Sequence, residues 1–185
     1  MPYVSYRGGG EDERMLVLVT YDVASMYPSM KHRWLVRAVD TVMAEREREG
    51  ASEEERAAAG KLREVVVKLL IFLLQHQIVS VPREEEEGLD FYLQYEGIGI
   101  GQGSSGAVAN IGLWEGERAV LRQLEEEGYE VLMYRRLQDD GILQALAASR
   151  KEAEALGERL ATLLEKVDEE GKSIQIPRKD LKVVM

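Results

Sequence analysis

Asp139 and Asp140 stand between two apolar, strand-forming runs, residues 131–134 and 142–146. Two such runs a few residues apart pair most readily as an antiparallel hairpin. A carboxylate beside an apolar core costs free energy unless a cation pairs with it. The doublet therefore belongs at the hairpin tip, with Gly141 in the same tight turn. An Asp-Gly turn alone accounts for such a doublet through its backbone preferences. It does not account for Asp22, which closes the most apolar early strand, Met15-Leu-Val-Leu-Val-Thr-Tyr-Asp22. Three acids at strand ends and a strand turn form the pattern of a divalent-metal site.

The rest of the chain supplies the frame. Pro28 and Ser29 predict a stop followed by a helix N-cap. Trp34, Leu35, Ala38, Val39, Val42 and Met43 then recur at helical spacing, and residues 45–50 continue as a solvated helix end. Ser52 and Glu55 match a capping box and open a second helix, apolar at Leu62, Val65, Val66, Leu69, Leu70 and Leu73. Residues 78–81 and 91–95 predict a hairpin around Pro82 and an acidic turn. A glycine-rich segment, 97–103, feeds a helix over 105–127 that Gly128 stops. After the two-aspartate hairpin come a helix opened by Ser149 and closed by Gly171, a strand at 173–176, and 181–184 as a candidate further strand.

Without the inserted helix and first hairpin, this order is a split β-α-β-β-α-β arrangement, ferredoxin- or RRM-like. The expected class is α+β, an antiparallel sheet with helices on one face. In that topology the first and third principal strands are central neighbours, which carries Asp22 to the side of Asp139 and Asp140. One domain over 1–185 is expected: 12–44 the first strand and helix, 45–96 the inserted helix and hairpin, 97–127 the glycine-rich loop and helix, 128–148 the two-aspartate hairpin, 149–185 the last helix and strand.

Composition narrows the setting. Hydrophobic residues make up 45% of the 185, enough for a folded core. With no cysteine there is neither a disulfide framework nor a thiolate zinc site, which favours an intracellular location, nuclear or cytoplasmic left open. The N-terminus lacks the apolar stretch of a signal peptide. The longest apolar run, 65–74, is broken by Lys68 and too short to span a bilayer, so no membrane partner is expected. A net charge of −10 repels polyanions, so a nucleic-acid partner requires metal ions or basic partner segments to offset it.

Asp22-Val-Ala-Ser-Met-Tyr27 resembles the first palm motif of reverse transcriptases, an aspartate followed five positions later by an aromatic. Gly101-Gln102-Gly103-Ser104-Ser105, leading into a helix with Ala107, Ala109 and Asn110, resembles the second. Leu137-Gln138-Asp139-Asp140 resembles the third, the two-aspartate turn. The motifs occur in the family's order on the family's element types, and the resemblance spans about residues 12–176. Its wording is closest to Penelope-like and telomerase-like retroelement enzymes.

The resemblance implies a polymerase palm and RNA-directed DNA polymerase activity, in which a primer 3′-hydroxyl is joined to a deoxynucleoside triphosphate by two-metal catalysis. By the same resemblance, Asp22 and Asp139 bridge two Mg²⁺ ions, for which Mn²⁺ can substitute, with the Val23 carbonyl helping and Asp140 supporting. Tyr27 corresponds to the aromatic floor beneath the incoming sugar, a steric gate against a 2′-hydroxyl. Gln102 and Gly103 correspond to the lining of the nucleotide and template pocket, where a missing side chain permits close approach. Lys172 corresponds to the lysine near the triphosphate, with ordinary helix C-capping as the alternative. The implied partners are a nucleic-acid template-primer and a deoxynucleoside triphosphate.

The chain departs from the family at several points. Leu137 stands where most reverse transcriptases have an aromatic. Arg135 and Arg136 precede it and either contact primer phosphates or solvate an edge. Only Arg7 and Arg14 are cationic before Asp22, so by the resemblance a basic fingers region is expected to be lacking here, and likewise a thumb after Lys182. The isolated chain is therefore expected to be weak or inactive without such segments or a partner chain.

Other readings are weaker. Gly101–Gly106 also fits a dinucleotide-binding G-x-G-x-x-G, but that fold needs an acid at the end of the next strand, and residues 129–134 lead into Arg135 and Arg136. A non-catalytic palm-like scaffold, a fragment or a redesigned polymerase core explains the fold without explaining why the acids stay together. Metal-assisted phosphodiester hydrolysis wants a further base, whereas His32 and His76 sit in helical contexts that suggest packing or solvent. Trp34 and Trp114 fall on apolar helical faces and are expected in the core.

Overall fold

The computed structural model describes residues 14–83, 87–99, 103–165 and 176–185. In chain order the elements are β1 (Met15–Asp22), α1 (Met26–Ser29), α2 (His32–Glu49), α3 (Glu53–Gln75), β2 (Ile78–Pro82), β3 (Leu89–Leu93), α4 (Ser105–Glu126), β4 (Glu130–Leu137), β5 (Asp140–Ala147), α5 (Arg150–Glu165) and β6 (Lys182–Val184). They form two compact units, one of Met1–Met26 with Gly116–Met185 and one of Tyr27–Glu115, the boundary falling within α4.

The first unit is built on a four-stranded antiparallel sheet in the order β4-β5-β1-β6. β1 and β5 are its central neighbours, as the split β-α-β-β-α-β order requires. Strand alternation decides the two faces. Val17, Val19 and Tyr21 of β1 and Leu143, Ala145 and Ala147 of β5 are buried, while Leu18, Thr20, Asp22, Ile142 and Gln144 stand half-exposed on the other side. α5 covers the buried face with Ala153, Leu156, Leu160, Ala161 and Leu164, each leucine contributing about 1.5–3 kcal/mol over an exposed one. Ser149 Oγ accepts from Glu152 N at 3.2 Å, and Glu152 Oε2 accepts from Ala148 N at 2.7 Å, which fixes the helix start. At the end of α4, Gly128 takes φ +91° and its N–H donates to Glu125 O at 3.0 Å, the left-handed stop that glycine permits.

In the second unit, α2 and α3 pack together, and Arg63 of α3 donates to both carboxylate oxygens of Asp40 at 2.7 and 2.9 Å and to Glu47 at 3.2 Å. The Ser52–Glu55 capping box is present with both of its hydrogen bonds. β2 and β3 pair as the expected hairpin.

Several expectations change. Pro28 and Ser29 lie inside α1, and α2 is preceded by Lys31 with no side-chain cap. Proline is tolerated there because first-turn N–H groups have no helical acceptor. The fourth strand of the sheet is Lys182–Val184, the candidate 181–184 segment; residues 173–175 and Gly171 lie outside the described residues. Trp114 is 44% exposed and is not a core residue, while Trp34 is half-buried. On α3 only Leu70 and Leu74 are buried, and Leu62, Val65, Leu69 and Leu73 face outward together with most of the β2–β3 hairpin. Periodicity marks a helix but not which part of its apolar stripe meets a neighbour. No described helix is long and apolar enough to cross a membrane.

Candidate active site

The register of β1 against β5 sets Asp22 directly opposite Asp140, with Tyr21 opposite Gly141 and Thr20 opposite Ile142. One residue beyond the ladder, Val23 N–H donates to Asp139 O at 2.9 Å. The end of the first strand is thus tied to the two-aspartate loop by backbone pairing alone. Asp22, Val23, Asp139 and Asp140 are gathered in the first unit, as the topology argument anticipates.

The hairpin differs in detail from a tight Asp-Asp-Gly turn. Its loop is Gln138 and Asp139; Asp140 and Gly141 already belong to β5. The left-handed backbone falls on Gln138, φ +56°, and not on Gly141. Ser25, at φ +50°, is the other described non-glycine residue in that region. One lies just before Asp139 and the other three residues after Asp22, and such strained positions tend to collect at functional sites.

Gly141 is required for space. A Cβ there would stand 2.1 Å from Cζ of Tyr21, whose ring packs across it. The Tyr21 hydroxyl is hydrogen-bonded to that of Tyr134, and Tyr134 in turn to Glu117 of α4. Arg136 Nε donates to Glu117, and Arg136 Nη1 donates to Gln138 O at 2.6 Å. Glu117 and the Arg136 side chain are 3% and 6% exposed. Arg136 is therefore largely a core residue and does not solvate an edge: alternation along β4 turns it inward and leaves Arg135 on the open face. Burial pushes the Glu117 carboxyl up, and Arg136 and Tyr134 oppose that shift. Burial likewise pushes both phenols well above their ordinary range.

At this end of the sheet a cleft of about 590 Å³ is lined by Thr20, Asp22, Asp140, Asp180, Arg135 and Lys182, and also by Tyr21, Arg136 and Gly141. Asp22, half-buried, has its carboxyl raised first by burial and then by the like charges of Asp139, Asp140 and Asp180, with Lys179 opposing. Sequence reasoning missed Asp180 and Lys182. The signal was the candidate strand at 181–184: as the neighbour of β1 it sets Lys182 opposite Thr20.

The nucleotide-site candidates belong to the second unit. Tyr27 is half-buried in α1, and its carbonyl accepts from Ile98 N–H at 3.0 Å. The glycine-rich segment is clamped beside it: Gly97 N–H donates to Met30 O at 2.8 Å, and Gly99 N–H donates to Gln77 Oε1 at 2.7 Å. Ser105 Oγ donates to Gly99 O at 2.7 Å, and Nε2 of His32 bonds Gly97 O at 2.8 Å, which gives that histidine a structural task. Gly103 is exposed, and a Cβ there would meet nothing within 4 Å. Neither φ nor protein neighbours demand a glycine at that position. Gln102 and Lys172 lie outside the described residues.

Carboxylate oxygens at the mouth of an open cleft are the donors Mg²⁺ prefers, and Mg²⁺ commonly uses one or two of them while water and phosphates complete its shell. The mutual repulsion at Asp22 is what a dication relieves, so the donor chemistry fits Mg²⁺ or Mn²⁺. Among the described residues no group of three or more His, Cys, Asp or Glu stands where it could hold a metal ion, so Asp22, Asp139 and Asp140 do not make up the three-acid site expected from the sequence.

No protein-family model matches the chain, and no curated protein sequence matches it. Solved structures do. The fold is similar to part of apo telomerase from Candida tropicalis, truncated from its C-terminal domain, with TM-score 0.64 and 13% identity over 91% of this chain and 30% of that one. It is also similar to part of telomerase from Candida albicans in complex with a TWJ fragment of telomeric RNA, with TM-score 0.60 and 14% identity over 92% of this chain and 28% of that one. At such identity the likeness is one of fold, and this chain spans less than a third of either telomerase chain.

Proposed function

We propose, from a fold shared with part of two telomerases, that this chain is the palm core of an RNA-directed DNA polymerase. The observation that carries the proposal is the register of Asp22 opposite Asp140, with Val23 N–H bound to Asp139 O. These contacts bring together the acids of the first and third palm-like motifs from positions more than a hundred residues apart in the sequence.

Asp22 and Asp139, with the Val23 carbonyl, are the residues that would hold Mg²⁺, and Asp140 supports them. The ions, when bound, supply a lowered pKa for the primer 3′-hydroxyl and charge neutralisation for the triphosphate. The protein's own residues do the positioning. The β1–β5 ladder sets the carboxylates at one end of the open sheet face, and Arg135 and Lys182 offer positive charge to phosphate in the same cleft. By the motif resemblance, the role of floor and gate for the sugar falls to Tyr27, that of nucleotide binding to Gln102 and Gly103, and that of attending the triphosphate to Lys172. Template-primer and deoxynucleoside triphosphate are the partners. With a net charge of −10 and about 30% of a telomerase's length, the chain needs fingers and thumb segments, or a partner chain, to grip the duplex.

Primer extension on an RNA template with Mg²⁺ or Mn²⁺ tests the reading, with basic partner segments supplied in cis if the bare chain is silent. Extension by the wild type and at least a hundredfold less by Asp139→Ala is expected. Equal extension by the two proteins removes the catalytic assignment and leaves a palm-like scaffold.

A further inference from the structure

We infer that Glu117 and Arg136, with Tyr21 and Tyr134, are positioning residues that hold the backbone of the two-aspartate loop, and through it the separation of the Asp22 and Asp139 carboxylates. The consequence for metal binding rests on the polymerase reading above; the hold on the loop does not.

A buried ion pair is a poor stabiliser, because desolvation of both charges offsets their attraction, and apolar residues of similar volume often serve packing as well or better. Stability alone therefore gives no reason for Glu117 and Arg136 in the core of the first unit, at 3% and 6% exposure. What the pair adds is a fixed donor. Arg136 Nε is occupied by Glu117, which orients the guanidinium so that Nη1 donates to Gln138 O at 2.6 Å. Gln138 needs holding, since its φ of +56° is a conformation that L residues with side chains disfavour. The second loop carbonyl, Asp139 O, is held by Val23 N–H at 2.9 Å. Both loop carbonyls are thus pinned, one by the end of β1 and one by the buried pair. Tyr134 joins the pair to Tyr21 by hydroxyl hydrogen bonds, and Tyr21 immediately precedes Asp22. The network therefore touches the chain directly beside each of the two acids.

The test uses the full chain and the double variant Glu117→Met/Arg136→Met, which replaces the ion pair with apolar groups of similar length. The readouts are amide exchange at Val23 by NMR, Mn²⁺ affinity by calorimetry, and the melting midpoint. The expected result is a midpoint within a few degrees of wild type, Val23 exchange at least tenfold faster, and Mn²⁺ binding at least tenfold weaker. Unchanged Val23 exchange in a folded double variant overturns the positioning role. If exchange accelerates but Mn²⁺ affinity holds, the network steadies the loop without shaping the site, and the inference fails in its functional half. Should the double variant not fold, Tyr134→Phe carries the same test, with at least threefold faster exchange expected and no change overturning the inference. A wild type that does not bind Mn²⁺, or binds it as well after Asp22→Asn, counts against the polymerase reading and removes the functional half, while the exchange readout still decides the hold on the loop.

Discussion

Replacing Gly141 by alanine probes the packing that seats the two-aspartate hairpin against β1. The new Cβ would stand 2.1 Å from Tyr21 Cζ, 2.2 Å from Cε1 and 2.5 Å from the hydroxyl oxygen. Ordinary contact begins at 3.4 Å, so the ring must retreat by about 1.3 Å. It has little room, being 3% exposed with its hydroxyl tied to Tyr134. Overpacking of this kind costs about 1–3 kcal/mol. Prising the phenol from Tyr134 leaves buried hydroxyls short of a partner, at about 1–3 kcal/mol more. Exchanging glycine for alanine in a strand returns about 0.5–1 kcal/mol. The net expectation from these magnitudes is a loss of about 1–5 kcal/mol. Urea unfolding followed by circular dichroism measures it, and at about 1–3 kcal/mol per molar of urea a mid-range loss of about 3 kcal/mol lowers the midpoint by about one molar or more. Tyr21→Leu in the same background should recover part of the loss, giving a coupling of about 1 kcal/mol or more in the double-mutant cycle. A loss below 1 kcal/mol, or strict additivity with Tyr21→Leu, would refute the claim that the Tyr21 ring is what forbids a side chain at position 141.

Asp22→Asn removes a carboxylate whose charged form is disfavoured by burial and by the like charges of Asp139, Asp140 and Asp180, so it should raise the melting midpoint at pH 7 in a metal-free buffer. It should also abolish the increase in midpoint that Mg²⁺ or Mn²⁺ gives the wild type through preferential binding to the folded state, worth about 2.7 kcal/mol at a hundred times Kd; an equal metal response in both proteins contradicts the site. Arg159 holds the Glu127 carboxyl down at about 2, from an ordinary 4.5. A lowered folded-state pKa means that this pair's stabilisation is fully present above pH 4.5 and disappears as the pH falls toward 2. Glu127→Gln should therefore lower the urea midpoint slightly at pH 7 and low salt, with the difference from wild type vanishing near pH 2; a constant difference across that range counts against the pairing.

Local rules made much of this molecule legible. The alternation of Met15–Asp22, the capping box at Ser52, the N-cap at Ser149 and the stop at Gly128 are each written within a few neighbouring residues, because period, caps and left-handed stops are short-range physics. Element order then needed only the rules of antiparallel connection to set β1 beside β5, and with that Asp22 opposite Asp140. The candidate acids were readable for the same reason: strand ends and hairpin tips are local, and topology brings them together.

What lay beyond the sequence shares one cause, dependence on a side chain from a distant segment. Asp-Gly reads locally as a turn, yet Gly141 is a strand residue kept bare by the ring of Tyr21, 120 positions earlier. Arg136 reads as a surface cation beside Arg135, yet Glu117 on α4 makes its burial possible and Gln138 O completes its hydrogen bonds. The apolar stripe of α3 identifies a helix without showing that Leu62, Val65 and Leu69 stay uncovered. Local pattern and connection rules were enough for most of the elements, for their order and for setting Asp22 beside the two-aspartate loop, though not for α1. How the strand end and the loop are held together follows only from the folded arrangement, because a buried charge and a missing Cβ have meaning only once the atoms that fill the space around them are known.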